Sequence, residues 1–245
     1  MNKIIIANGC SFTAGHGLDP NNVEECKESA WPRWVADHYN YNWVNMAVGG
    51  SGNEQISRTT IITISNLIEI DRFNPEDIIV CILWSGFDRY EYWSNQQGVH
   101  RSVSLNSKVL GSFSYEAKKY VEARSIMEPD NYSNYKNLYY VYTLAKFLES
   151  YKIKYYFGNA IRQFTQLHEF EAHPNLINEY SNLLNLYGNR KYSHLGFFDK
   201  DKVYKYILQD MPRTPDGFHW QIDGQKKYAM HFIEHMEQVD DRMGN

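Results

Sequence analysis

Two short stretches at opposite ends of the chain carry residue types that together could do nucleophilic chemistry. Near the N-terminus runs Asn8-Gly9-Cys10-Ser11-Phe12-Thr13-Ala14-Gly15. A serine between glycines can sit on a tight turn with its hydroxyl exposed and its own N–H free to face an oxyanion. The same pattern also suits an ordinary strand-to-helix turn with Ser11 as its N-cap. Near the C-terminus, Asp216-Gly217-Phe218-His219 sets a carboxylate three residues before an imidazole. A serine hydroxyl is a poor nucleophile until a base removes its proton. Histidine is that base when a carboxylate fixes its tautomer and stabilises the imidazolium. Taken alone, Asp-x-x-His reads equally well as a capped turn ahead of a helix.

Elements must bring these stretches together. Lys3–Ala7 is a short apolar run that stops at Asn8-Gly9, the pattern of a central parallel strand. Ser29–Tyr39 has helical spacing, with Pro32 tolerated in its first turn. A second strand is expected at Trp43–Val48, ending in Gly49-Gly50-Ser51-Gly52, then a helix from about Asn53 to Arg72. Ile78–Trp84 is the clearest strand, a continuous apolar run introduced by Asn74-Pro75-Glu76-Asp77. Ser94–Ser114 is polar without a sustained period and reads as an insertion or lid. Tyr135–Tyr151 reads as helix, Lys152–Phe157 as strand, Glu169–Leu186 as helix and Val203–Leu208 as a short element of either type. A last helix is expected from near Ile222 to about Val239, with Tyr228, Phe232, Ile233 and Met236 inward. Strand and helix alternate, which predicts a mostly parallel sheet covered on both faces, in one domain over 1–245.

Here the sequence resembles the SGNH, or GDSL-type, hydrolases. Gly9-Cys10-Ser11 matches their nucleophile turn, with Cys in the middle position, and Asp216, His219 and Gly224 match their last block. Asn45-Met46-Ala47-Val48-Gly49-Gly50 looks like the second block, with Gly50 the oxyanion-hole candidate and Gly52 the alternative. The third block departs. Where the family has Gly-x-Asn-Asp, this chain has Trp84-Ser85-Gly86-Phe87-Asp88-Arg89, and Phe87 cannot donate a hydrogen bond. Arg89, Ser85 and Asn53 are the candidates for the missing donor, Arg89 foremost because its charge could stabilise an oxyanion.

The resemblance implies a three-layer sandwich of flavodoxin-like type with an inserted, lid-like segment at about 90–134. It implies a Ser11–His219–Asp216 triad that forms an acyl-enzyme with an ester, held by the N–H groups of Ser11 and Gly50 and a third donor, with no cofactor. The expected substrate is a small-molecule or glycan ester, with an O-acylated carbohydrate favoured. The rivals are a catalytically weakened binding or structural protein, which Phe87 favours, and an acyltransferase using the same triad.

Bulk properties exclude several other classes. The 245 residues are 43% hydrophobic and 22% charged, enough for a packed core and against disorder. A net charge of −4 argues against a nucleic-acid partner. No apolar run reaches transmembrane length, and the N-terminus lacks the pattern of a secretory signal. Together with three cysteines lacking metal-type spacing, these features point to a cytoplasmic, reduced protein. The nine histidines lack paired zinc spacing, so no metal is expected. The glycine-rich 49–52 stretch has no following Lys-Ser/Thr of a phosphate loop. Twenty Tyr and 6 Trp could stack on sugars, although such residues more often fill cores.

Overall fold

The computed structural model describes residues 3–19, 22–104, 114–128, 132–160 and 212–243. Its elements in chain order are β1 (Ile4–Gly9), α1 (Val23–Glu28), α2 (Trp31–Tyr39), β2 (Asn42–Asn45), α3 (Asn53–Glu69), β3 (Ile78–Trp84), β4 (Arg89–Ser94), β5 (Val99–Ser104), α4 (Tyr115–Met127), α5 (Tyr132–Ser150), β6 (Lys154–Asn159) and α6 (Ile222–Met243). The expected elements at Glu169–Leu186 and Val203–Leu208 lie outside the described residues.

Four strands form a parallel sheet in the order β2-β1-β3-β6, with Ile4 of β1 paired to Asn42 on one side and Ile78 on the other. β1 and β3 are buried along their whole length, as a central strand covered on both faces requires. Because side chains alternate across a strand, β1 and β3 feed two separate cores. Ile4, Ile6, Val80 and Ile82 pack with Ile56 and Ile64 of α3 and Leu138 and Leu144 of α5. Ile5, Ile79, Cys81 and Leu83 pack with Trp31 and Val35 of α2 and Tyr228 and Phe232 of α6. The result is the expected three-layer α/β architecture.

Several of the large aromatic residues fill the cores. Trp31, Trp84, Trp220, Tyr90, Tyr155, Phe157 and Phe232 are among the largest fully buried side chains. All three cysteines are buried and free. No helix among the described residues is long and apolar enough to cross a membrane.

Two stretches differ from the sequence expectation. The polar stretch after β3 is an antiparallel hairpin, β4–β5, which with α4 encloses a small cluster of Tyr90, Val103 and Ala117. Its pairing to α3 is polar: Arg58 bridges Glu91 at 2.5 Å, and Ser102 donates to Gln55 at 2.9 Å. The second strand ends at Asn45, three residues early, because the Asn45 side chain leaves the sheet plane to bond the neighbouring loop.

The strand order reverses direction at β1: the chain goes from β1 out to β2, then returns across β1 to β3. In open α/β sheets, ligands bind in the crevice at the carboxyl ends of strands at such a switch point. The loop after β1 carries Ser11.

Candidate active site

The turn after β1 is shaped by close approach. A Cβ on Gly9 would lie 2.8 Å from the Leu83 carbonyl oxygen and closer still to Thr13 Oγ1, so only glycine lets β1 end tight against β3. Asn8 anchors the end of β1. Its amide donates to the Ile56 carbonyl and to the hydroxyls of Thr59 and Thr60 on α3, and its oxygen accepts from Gly9 N–H. The chain then coils, with Thr13 and Ala14 N–H both donating to the Cys10 carbonyl and His16 N–H donating to that of Ser11. Ser11 is left 6% exposed.

The loop after β2 is tied to this turn. Asn45 donates to the Thr13 carbonyl at 2.8 Å and accepts from Ala47 N–H at 3.1 Å. This brings Gly49 against the serine: a Cβ there would be 4.0 Å from Ser11 Cβ. Gly50 follows at the exposed crest of the loop. Gly52 packs on the third loop, where a Cβ would meet the Arg89 carbonyl oxygen at 2.9 Å.

The C-terminal loop carries Asp216 and His219. Gly217 takes a left-handed φ of +72°, which turns the following N–H groups back on Asp216. Asp216 Oδ1 accepts from Phe218 N–H at 2.7 Å, His219 N–H at 3.1 Å and the Thr214 hydroxyl at 2.7 Å. Asp216 Oδ2 lies 2.6 Å from His219 Nδ1. Burial works to raise the Asp216 carboxyl, but these four hydrogen bonds outweigh it and hold the group well below the usual carboxylate range. Asp216 therefore stays ionised beside the imidazole.

The loop docks on the serine turn. The His219 ring sits 5.1 Å from the Phe12 ring and 5.0 Å from that of His16, centroid to centroid. Trp220 packs on the same Phe12 ring at 5.0 Å. Gln225, wholly buried in the first turn of α6, donates to the Phe12 carbonyl and accepts from Trp31 N–H. Ser11 and His219, 208 positions apart in sequence, are thus carried on adjoining loops. No direct hydrogen bond joins the Ser11 hydroxyl to the His219 ring.

The third loop differs from its expected layout. Phe87 does not face the serine loop but turns down into the core between β3 and the α3–α5 layer. Asn53, an alternative oxyanion donor, is fully engaged elsewhere. Its amide donates to the Ser85 carbonyl at 3.2 Å and to Asn137 Oδ1 at 2.8 Å, while its oxygen accepts from Ser85 N–H at 2.7 Å. Arg89 donates from Nη1 to Ser85 Oγ at 2.9 Å, and the nearby Glu91 pairs with Arg58.

A cleft of about 490 Å³ opens beside these loops, bordered by His16, Gly49, Lys27 and Asp216 over a floor that includes Ala14 and Ala47. No group of three or more His, Cys, Asp or Glu able to hold a metal ion occurs among the described residues. Asn45, Asn53, Asn137, His16, Thr214 and Gln225 have site contacts beyond the roles read from sequence. Thr214 bonds Asp216 two residues on, whereas the others meet partners remote in the chain, a signal that spacing does not carry.

Several solved structures of low sequence identity are similar to this chain. A family 2 carbohydrate esterase from Corynascus thermopiles (Myceliophthora fergusii) is 11% identical with a TM-score of 0.52, over 98% of this chain and 67% of that one. An acetyl xylan esterase from Butyrivibrio proteoclasticus is 10% identical with a TM-score of 0.52, over 99% and 64%. A G-D-S-L family lipolytic protein from Desulfitobacterium hafniense is 14% identical with a TM-score of 0.45, over 97% and 99%. No curated relative matches the chain. The fold is that of the SGNH hydrolases, and by a match over residues 15–236 the chain belongs to the family of unknown function DUF6071.

Proposed function

We propose that the protein is a serine ester hydrolase in which Ser11 is the nucleophile, His219 its general base and Asp216 the group that orients His219. The observation that carries this reading is the ionised Asp216 held 2.6 Å from His219 Nδ1, on a loop packed against the serine turn through Phe12 and His16. With Nδ1–H donated to Asp216, the lone pair of His219 is on Nε2, available to take the Ser11 proton.

Ser11 Oγ then bonds to the ester carbonyl carbon, whose oxygen takes the negative charge. The N–H groups of Ser11 and Gly50 face that oxyanion, and Arg89 with Ser85 supplies the third contact. Of the alternatives, Asn53 has its amide committed to Ser85 and Asn137, and Gly52 is closed in by Arg89. His219 returns the proton to the leaving alcohol oxygen as the carbon–oxygen bond breaks. Water enters by the reverse sequence and frees the acid. No cofactor takes part, and residues 1–245 act as one domain that carries an insertion at about 90–134. The substrate class is an acyl ester of an alcohol, with an acylated carbohydrate favoured.

Phe87, in place of an oxyanion donor, favours a second reading: a member of the fold that binds without turnover. Labelling with a fluorophosphonate separates the two. Wild type should label on Ser11 and Ser11→Ala should not, with melting temperatures nearly equal. An unlabelled wild type, or labelling that persists on another serine, overturns the hydrolase assignment. Adding an alcohol acceptor during ester turnover tells hydrolysis from acyl transfer, because a transferase would form the new ester.

A further inference from the structure

His16 is an imidazole in the candidate site that the mechanism above does not use. Its backbone is fixed by the N–H bond to the Ser11 carbonyl at 2.9 Å. Its ring stands edge-on to that of His219, 5.0 Å between centroids, and its Nδ1 is 3.8 Å from where a Cβ on Gly49 would be. The same point on Gly49 is 4.0 Å from Ser11 Cβ, so the ring and the serine flank one glycine. Neither ring nitrogen of His16 has a hydrogen-bond partner among the described residues, and the residue is exposed at the mouth of the 490 Å³ cleft. A neutral imidazole offers one donor and one acceptor, and here both are open.

Geometry also decides which half of an ester this cleft would take. The leaving oxygen must lie by His219, which protonates it. The cleft is bordered by His16 and by Thr214, Pro215 and Asp216 of the loop that carries His219, whereas Ser85 and Arg89, at the two ends of the β3–β4 connection, are not part of its lining. Its volume falls within the range of about 300–1,000 Å³ common for small-molecule sites.

We propose that His16 and this cleft form the alcohol-side subsite, in which the His16 imidazole hydrogen-bonds a hydroxyl neighbouring the ester oxygen of a polyol-type leaving group. This rests on the ester-hydrolase reading and narrows it to esters of alcohols that carry a second hydroxyl. His16 is a specificity-determining residue on this account, and the proton transfer remains with His219.

The test compares two acetates that differ only in hydroxyl groups, glycerol monoacetate and propyl acetate, in wild type, His16→Ala and His16→Gln. Wild type should prefer glycerol monoacetate in kcat/KM. The ratio of kcat/KM for the two esters should fall about tenfold in His16→Ala, the discrimination of roughly one hydrogen bond, and His16→Gln should recover part of it. An unchanged ratio in His16→Ala overturns the subsite, whatever happens to the absolute rates. If wild type turns over neither ester and Ser11 does not label with a fluorophosphonate, the hydrolase reading itself fails and the subsite falls with it. If Ser11 labels but wild type shows no preference between the two esters, only the subsite fails.

Discussion

Replacing Asp216 by asparagine keeps the shape of the site and reverses its proton logic. Asp216 Oδ1 accepts three hydrogen bonds, from Thr214, Phe218 N–H and His219 N–H, and Oδ2 faces His219 Nδ1. In Asp216→Asn, the amide oxygen keeps the three donors only if its NH2 faces Nδ1. The imidazole must then accept at Nδ1 and carry its proton on Nε2, where a lone pair is needed for Ser11. Turning the amide over restores the useful tautomer but sets an NH2 against the two backbone N–H donors, while the Thr214 hydroxyl can rotate to accept from it. At about 1 kcal/mol for each lost bond, that arrangement lies roughly 2 kcal/mol higher and is held by about one molecule in thirty. Loss of the charge that stabilises the imidazolium adds about another tenfold, discounted because the carboxylate is 38% exposed. The expected fall in kcat/KM is on the order of a few hundredfold, with an equal fall in the rate of fluorophosphonate labelling. The melting temperature should barely move, since asparagine caps a turn as well as aspartate. Asp216→Ala, which drops all four contacts, should lower it by a few degrees. Activity within tenfold of wild type in Asp216→Asn would refute the orienting role, because the structure leaves the amide no other low-energy placement.

Arg89→Ala should lower turnover of neutral esters at least tenfold with little change in KM, and Arg89→Lys should recover only part, since a point charge cannot reproduce the fork that meets Ser85. Full activity in Arg89→Ala would remove it from the oxyanion contacts. Gly9→Ala should destabilise the fold by about 1–3 kcal/mol, as overpacking does, because its methyl would press on the Leu83 carbonyl and Thr13; an unchanged denaturation midpoint would contradict the close approach. The lowered Asp216 carboxyl gives a stability contribution that is present above the ordinary carboxylate range near about 4 and lost as pH falls below it. The melting-temperature gap between wild type and Asp216→Ala should therefore narrow between pH 5 and pH 2, and a gap that widens on acidification would contradict the hydrogen-bond account.

The sheet was legible because burial on both faces writes itself as uninterrupted apolar sequence. Ile78–Trp84 is strand to the residue, and Tyr228, Phe232, Ile233 and Met236 of α6 are all buried as their spacing predicts. The β4–β5 hairpin was not legible, since of Val99–Ser104 only Val103 is buried and its inward contacts are ionic or hydroxylic. The short helix α1 has an Asn22 cap and acidic residues but no apolar stripe to announce it. At the candidate site, the nucleophile turn and the Asp-x-x-His pair have local signatures. The placement of Phe87 in the core, the use of Asn53 as a strut and the open ring of His16 depend on which remote groups meet them.

The two halves of the site are also separated in time. A ribosome completes Ser11 and its turn early, then adds 208 more residues before His219 emerges. At about 5–20 residues per second, that interval is on the order of 10–40 s. On the proposed mechanism the serine has no base throughout it, and the Phe12 carbonyl that Gln225 will bind waits unpaired. The nascent chain is therefore chemically silent until α6 closes over the sheet. Reactivity of Ser11 reports arrival of that last helix, and a fluorophosphonate added during synthesis would mark only chains whose C-terminal segment has docked.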